Sequence, residues 1–367
     1  MNRPMRDTYT VEIVDRIDRV NQEEWDALCK ERPFASHRCL DLSEKIYAHH
    51  EARYLLLRSN GRLEAGAICA LQRSFHLSAY VSNRMLQNFV ARLLARFPPL
   101  NCAIPIVFES GLLVRPGGDS ARVIPALLDE MDDLAARERV SFVGLVNLGP
   151  HHTAWPALSR AGYHSVGLPS DTYLEINWTD FEDYQADLPH KKRSEFRRVR
   201  RRAGDAGVTV ETVRPSPEIE PRLRQLVCNV HQRHNLADPY TPDLFLNIAD
   251  VMAEDLSLLV ARQGGDMIAC LALLRSGGEL AIKFPGLDYE RTLDTFTYHL
   301  IMTESVAKAI DLGVRRLRLG ATAYRLKKLM GATVEDRFLA LNVRGRLLHR
   351  LVGWGLTLSG RQAMPDF

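Results

Sequence analysis

At 367 residues, with 46% hydrophobic and 25% charged residues and a net charge of +3, the chain has the composition of an ordinary globular protein and the length of two domains. No apolar run approaches the roughly 20 residues of a membrane-crossing helix, and Met1-Asn2-Arg3-Pro4-Met5-Arg6-Asp7-Thr8 lacks the apolar core of a signal peptide. Six scattered cysteines (Cys29, Cys39, Cys69, Cys102, Cys228 and Cys270) have no metal-ligand spacing and read as reduced, buried thiols, so a cytoplasmic protein with no transmembrane association is expected.

Strands and helices alternate along the chain. Residues 11–14 predict a short strand, and Asn21-Gln22-Glu23-Glu24 has the form of a capping box opening a helix. Residues 53–72 read as a hairpin about Ser59-Asn60-Gly61-Arg62, because Asn-Gly suits the left-handed dihedrals of a tight turn. A strand at 111–115, the turn Pro116-Gly117-Gly118-Asp119-Ser120, a helix over 122–137 and a strand at 140–146 follow. The second half repeats this order: strands at 256–262 and 267–274, another at 279–284, a helix over 293–311 stopped by Gly313, and a strand at 315–319. Two related α/β domains are therefore expected, spanning 1–180 and 181–367, each a twisted mixed sheet flanked by helices.

Between them lies a concentration of charge. Residues 190–202 hold eight Lys/Arg and one Glu, +7 where the whole chain carries +3, so everything else is net acidic. Phe196, Val199, Ala203 and Ala206 recur at helical spacing as a narrow apolar seam, which leaves the arginines outward. A solvated surface helix would interleave acids at i, i+4. Their scarcity predicts an anionic partner, most simply phosphates.

Leu188-Pro189-His190-Lys191-Lys192-Arg193, the arginine-rich segment after it and Ala206-Gly207-Val208-Thr209-Val210 resemble the opening of the second domain in Fem-like acyltransferases, which carry tandem GNAT-type domains. Gly313-Val314-Arg315-Arg316-Leu317-Arg318-Leu319-Gly320, followed by Tyr324-Arg325-Leu326-Lys327-Lys328-Leu329-Met330-Gly331-Ala332, is similar to that family's closing block. Ala157-Leu158-Ser159-Arg160-Ala161-Gly162-Tyr163 and Asp171-Thr172-Tyr173-Leu174-Glu175 look like the end of its first domain. The resemblance implies transfer of an acyl or aminoacyl group from an activated ester or thioester to an amine. It implies a role for Lys327 in stabilising charge at the reacting centre, with Lys328 an alternative for the same position.

Such chemistry needs a neutral amine, a path for its proton and donors for a tetrahedral oxyanion. It needs neither a metal nor a covalent nucleophile, and none is expected. Tyr324 and Asp288 join Lys327 as catalytic candidates. Lys191, Lys192, Arg193, Arg197, Arg198 and Arg201 are the candidates for binding donor phosphates. His234, Asp238, Tyr240 and Tyr298 are those for holding the acceptor, and Lys283 is a further proton carrier. The turn Arg115-Pro116-Gly117-Gly118 departs from the phosphate-binding spacing of GNAT domains and reads as an ordinary turn. Gly286-Leu287-Asp288-Tyr289-Glu290 sets two carboxylates where a pyrophosphate would lie, which weighs against conventional CoA binding.

His231 and His234 could share one helix face, without a third metal ligand in view. The stretch 344–354 alternates basic and apolar residues and could touch a membrane surface, but its shortness and glycines favour packing against the domain cores. The expected activity is N-acyl transfer from acyl-CoA or an acyl-carrier thioester to a small-molecule amine. The alternatives are an aminoacyl-tRNA donor and a non-catalytic RNA-binding module on the same fold.

Overall fold

The computed structural model describes residues 9–71 and 98–358. They form two compact units: the chain up to Ser170 with the chain from Glu335 onward, and Asp171–Val334.

In the first unit β1 (Thr10–Val14), α1 (Gln22–Leu28) and α2 (His37–Ile46) precede the hairpin β2 (Glu51–Ser59) and β3 (Arg62–Leu71). Asn21 caps α1 as its sequence predicts, its side chain accepting from Glu24 N–H at 2.9 Å. Asn60 and Gly61 both have positive φ, 50° and 78°, as the two-residue turn requires. Then come β4 (Leu100–Cys102), β5 (Leu112–Val114), α3 (Ser120–Arg137), β6 (Phe142–Leu148) and α4 (Trp155–Arg160). Gly118 N–H bonds Arg115 C=O at 2.8 Å and Asp119 caps α3, so Arg115-Pro116-Gly117-Gly118 is a turn that launches a helix. Leu127, Met131 and Leu134 of α3 face Leu55, Ala67, Val143 and Leu145 of the sheet in one apolar core.

The second unit contains α5 (Phe181–Asp187), the basic helix α6 (His190–Asp205), β8 (Val208–Val213), α7 (Glu220–Arg233) and α8 (Leu244–Met252). Strands β9 (Leu256–Gln263), β10 (Asp266–Ser276) and β11 (Glu279–Leu287) follow, with α9 (Tyr289–Thr292), α10 (Thr297–Asp311), β12 (Arg316–Arg318) and α11 (Tyr324–Leu329). The helix expected over 293–311 begins only at Thr297. Phe296 before it sits at φ +56°, outside the dihedrals a continuing helix allows. In α6 the predicted seam is the buried one: Phe196, Val199 and Ala203 join the core of Leu271, Leu273, Leu300 and Ile301.

The two long strands left are β7 (His164–Glu175) and β13 (Thr333–Val343), with α12 (Arg346–Leu358) after them. They explain why the units differ from an end-to-end division near 180. The first sheet runs β1-β2-β3-β4-β6 with antiparallel pairings except β4–β6, and β13 closes it antiparallel to β6. The second runs β8-β9-β10-β11-β12 in the same pattern, with β11–β12 parallel and β7 closing it antiparallel to β12. Each sheet is thus completed by a strand from the other half of the chain. Strand pairing, which satisfies backbone groups, overrides chain order at the boundary.

One irregularity matters for the site. Between the pairs Cys270↔Gly286 and Ala272↔Lys283 the register shifts, giving β11 one extra residue over that interval, and Phe284 there has φ +54°. This is a β-bulge carrying a bulky residue in the left-handed region. A methyl group on Gly286 would come 2.5 Å from Cys270 Sγ and 2.8 Å from Leu226 Cβ. Gly286→Ala is therefore expected to destabilise the chain by about 1–3 kcal/mol, as overpacking does, measured by urea unfolding against wild type.

Candidate active site

The parallel pairing of β11 with β12 covers only Glu279–Ala281 against Arg316–Arg318, while β11 itself continues to Leu287. Charged side chains gather where this pairing stops. Side chains two residues apart share a sheet face, so Glu279, Ala281 and Lys283 lie on the face of Arg316 and Arg318. Tyr173 and Glu175 of β7 pair opposite those arginines and share it. Arg318 is buried and donates through Nε to Glu279, while its Nη1 lies 3.9 Å from Asp171, itself 1% exposed. Asp171 also accepts from Thr172 N–H at 2.9 Å. Hydrogen bonds and a near cation keep this carboxylate satisfied where an isolated one would be too costly to bury.

Lys327 is 1% exposed and turns inward from α11, donating to the carbonyls of Gly320 at 2.7 Å and Ala321 at 2.8 Å. Lys328 is exposed, so of the two adjacent lysines Lys327 is the internal one. The loop that receives it is backbone-strained: Thr322 and Ala323 have φ +73° and +47°, beside Gly320 at +72°. Thr172 Oγ1–H also donates to the Gly320 carbonyl. Burial pushes both Lys327 and Lys283 down to about 8, and the negative charge of Asp171 opposes the shift in each. The two lysines thus share Asp171 as the nearby negative charge that favours their protons, while Glu279 is met by Arg318 and Arg315.

A stability prediction follows from the sign of that shift. A lysine at about 8 when folded and 10.5 when unfolded binds fewer protons folded between those values, so its contribution to stability rises with pH across that window. The buried thiols, pushed upward by burial, act in the opposite sense. The measurement is therefore a difference: the stability advantage of wild type over Lys327→Met is expected to grow from pH 8 to pH 10 in parallel urea titrations.

A second cluster of positive charge lies at the N-terminus of α10. Arg198 and Arg202 of α6 stack over the Phe296 ring at 5.0 and 5.1 Å, bracketing the residue that precedes the helix. Glu195 is held below the usual carboxylate range chiefly by its hydrogen bonds from Arg198, with His299 and Arg325 adding to the effect. His299 is pushed down mainly by burial, and Arg198 and Arg325 reinforce this. Four arms therefore converge there: two arginines of α6, Arg325 of α11 and the partial positive charge of a helix N-terminus.

The other predicted phosphate ligands divide into two groups. Lys192 Nζ donates to Lys328 C=O at 2.7 Å and Arg193 to Ala186 C=O at 2.8 Å, so these two tie α6 to its neighbours. Lys191, Arg197 and Arg201 are exposed and have no hydrogen-bond or ion-pair partner among the described residues.

The acceptor candidates do not all meet. Tyr240 packs edge-on against Phe284 at 5.1 Å and His231 at 5.4 Å, which brings it to the bulge beside Lys283. Asp238 is engaged by Arg224, by Cys228 Sγ–H at 3.1 Å and by Tyr240 N–H at 3.2 Å. Burial opposes its charge, yet these donors hold it below the usual carboxylate range. His234 ends α7 with its side chain exposed, while His231 Nδ1 lies 3.1 Å from Val227 C=O. Tyr298 is half-buried and pushed up to about 12 by that burial. Tyr324 opens α11, and Asp288 is ion-paired to Arg222 at 3.0 Å while its backbone carbonyl accepts from Thr292. The Arg222 pairing compensates Asp288, one of the two carboxylates of that turn, while Glu290 is exposed.

Asp171, Arg318 and Glu279 were not singled out by the sequence, although the buried charges join strands far apart in the chain. Phe284 and Phe296 also escaped notice, because a left-handed phenylalanine leaves no compositional mark.

Residues 16–329 match the FemAB-like family, described as peptidoglycan biosynthesis/recognition. The chain belongs to the FemAB-like family. A Mycobacterium tuberculosis protein with the provisional name 8-amino-7-oxononanoate synthase 2 is 26% identical over 247 residues, 64% of this chain and 32% of that protein. The chain thus spans about a third of that relative's length. Among solved structures, FemX superposes with a TM-score of 0.61 at 14% identity, over 93% of this chain and 100% of that one. A tandem GNAT protein from the clavulanic acid biosynthesis pathway gives 0.56 at 14% identity, over 92% and 99%. The tandem GNAT-like α/β fold expected from the sequence is the fold of this FemAB-like chain.

Proposed function

We propose that this FemAB-like chain transfers an acyl group from a thioester donor, acyl-CoA or an acyl-carrier protein, to the amine of a small molecule. The observation that carries the reading is the position of two groups on α11: Arg325 is near Glu195 and His299 at the α10 N-terminus, and Lys327, two residues on, is buried near Asp171. Donor phosphates would bind Arg198, Arg202 and Arg325, with the carbonyl to be attacked near Lys327. Two of the Lys327 N–H groups are held by loop carbonyls. The third is left for the developing oxyanion. Lys283 with Asp171 would accept the proton of the incoming ammonium, and Tyr240 at the bulge would line the acceptor's path. Tyr324, Asp288, His234, Asp238 and Tyr298 stay as secondary candidates around it. Such donors are cytoplasmic metabolites, and the reading takes the enzyme to work there.

A specific observation favours a second donor. Lys191, Arg197 and Arg201 are exposed cations spread over about 15 Å of helix, more than one pyrophosphate occupies, with Arg197 and Arg201 stacked one turn apart. An aminoacyl-tRNA would use those cations, and its binding would fall steeply with salt. The deciding experiment offers the purified chain a panel of amines with acyl-CoAs or charged tRNAs and identifies amide products by mass spectrometry. Product from acyl-CoA supports the first reading, and RNase-sensitive product supports the second. No amide from either, together with RNA binding lost on charge reversal of α6, would leave the non-catalytic module.

A further inference from the structure

The C-terminal helix α12 does not bury its apolar side. Leu347 is 74% exposed, Leu351 54% and Trp354 67%, with Leu348 at 39%; these are four of the seven exposed large hydrophobic residues among those described. Residues 347, 351 and 354 recur at i, i+4 and i+7, so they form one stripe along the helix. The opposite side is the docked one. His349 stacks on His164 at 4.2 Å, and a methyl group on Gly353 would lie 2.6 Å from the same ring. The expected packing of this segment against the core therefore holds for one face only, and the glycine secures it there.

Charge identifies what the other face meets. Arg346 and Arg350 are exposed beside the stripe, with Arg344 one turn before it, and no Asp or Glu occurs between Asp336 and Asp366. Asp132 and Asp133 of α3 line the same surface as Arg344, Arg346 and Arg350, but α12 itself carries no acid, so the stripes of two copies would bring like charges together. We propose that α12 is a membrane-surface helix that lies in the plane of an anionic lipid bilayer, its Leu347–Leu351–Trp354 stripe inserted among acyl chains and its arginines on lipid phosphates. The chemistry suits each part: aliphatic side chains enter the hydrocarbon, tryptophan favours the polar–apolar boundary, and basic residues on an amphipathic helix draw it to negative headgroups. At 13 residues the helix is about 20 Å long, too short to cross a bilayer and long enough to lie on one. The inference is independent of the donor and acceptor proposed above.

The test is co-sedimentation of the full chain with vesicles of phosphatidylcholine alone or mixed with phosphatidylglycerol, read alongside tryptophan fluorescence. Wild type is expected to bind the anionic vesicles with a blue shift that Trp354→Phe removes, since Trp25 and Trp155 are buried, Trp178 is half-buried and Trp354 is the exposed tryptophan of the stripe. Leu351→Ser with Trp354→Ser should weaken binding at least about tenfold. Each of Arg346→Gln and Arg350→Gln should weaken it about fivefold, an effect that vanishes at high salt. These side chains are exposed, so unchanged thermal unfolding will confirm intact variants. A wild-type chain that stays in solution with anionic vesicles overturns the proposal. So does a dimer in light scattering that the Leu351/Trp354 variant dissolves.

Discussion

Lys327→Met is expected to lower kcat by about 10²–10³-fold, the loss typical of removing one oxyanion donor. Methionine keeps the length and most of the volume of lysine, so the core around Leu326 and Met330 stays filled. The Ala321 carbonyl loses the Lys327 donor while that of Gly320 keeps Thr172 Oγ1–H, a loss of about 1–3 kcal/mol, so activity must be measured where the variant is folded. Lys328→Met, at the exposed neighbour, should leave kcat within about twofold, since exposed substitutions are usually near neutral. The pH profile separates a catalytic lysine from a merely structural one. A cationic Lys327 gives a rate that falls above about pH 8 as its proton leaves. Asp171 stabilises that proton, so Asp171→Asn should move the alkaline limb to lower pH. An alkaline limb that stays in place in Asp171→Asn would show that the lysine only braces the loop.

Local elements of the fold were legible because their signals are local. The Asn60-Gly61 turn, the Asn21 cap and the Phe196–Val199–Ala203 seam each depend on residues within a few positions of one another. The repeat of strand order was visible for the same reason. What sequence could not show is that β7 and β13 each complete the sheet of the other half, since pairing partners such as Phe338 and Leu148 lie nearly 200 positions apart. The site divides along the same line. Lys327 was found through its resemblance to the family's closing block, whereas Asp171 and Arg318 acquire meaning only when β7 and β12 pair. A run such as 190–202 announces its charge but not its division of labour: some of its cations tie α6 to carbonyls, some stack on Phe296, and some stay free.

That division yields the second large effect. Arg198→Gln combined with Arg202→Gln should raise the KM for a thioester donor about 100-fold and leave the kcat at saturation within a few-fold. Charge-assisted hydrogen bonds contribute about 1.5–3 kcal/mol each, and two of them would be lost from a phosphate group. Phosphates bind in ground and transition states alike, so this is uniform binding and appears in KM. Both arginines rest on an aromatic ring at the surface, and glutamine leaves the buried seam of α6 untouched, so folding should be retained. Arg197→Gln with Arg201→Gln is the counterpart. With an acyl-CoA donor the pair should matter little, because it is Arg198 and Arg202, not Arg197 and Arg201, that stack on Phe296. With a tRNA donor each would remove about one phosphate contact and flatten the log–log salt dependence by about 0.7–0.9 per charge. One helix thus offers two pairs of arginines whose loss distinguishes the donors. A KM that responds only to the outer pair would shift the assignment to tRNA.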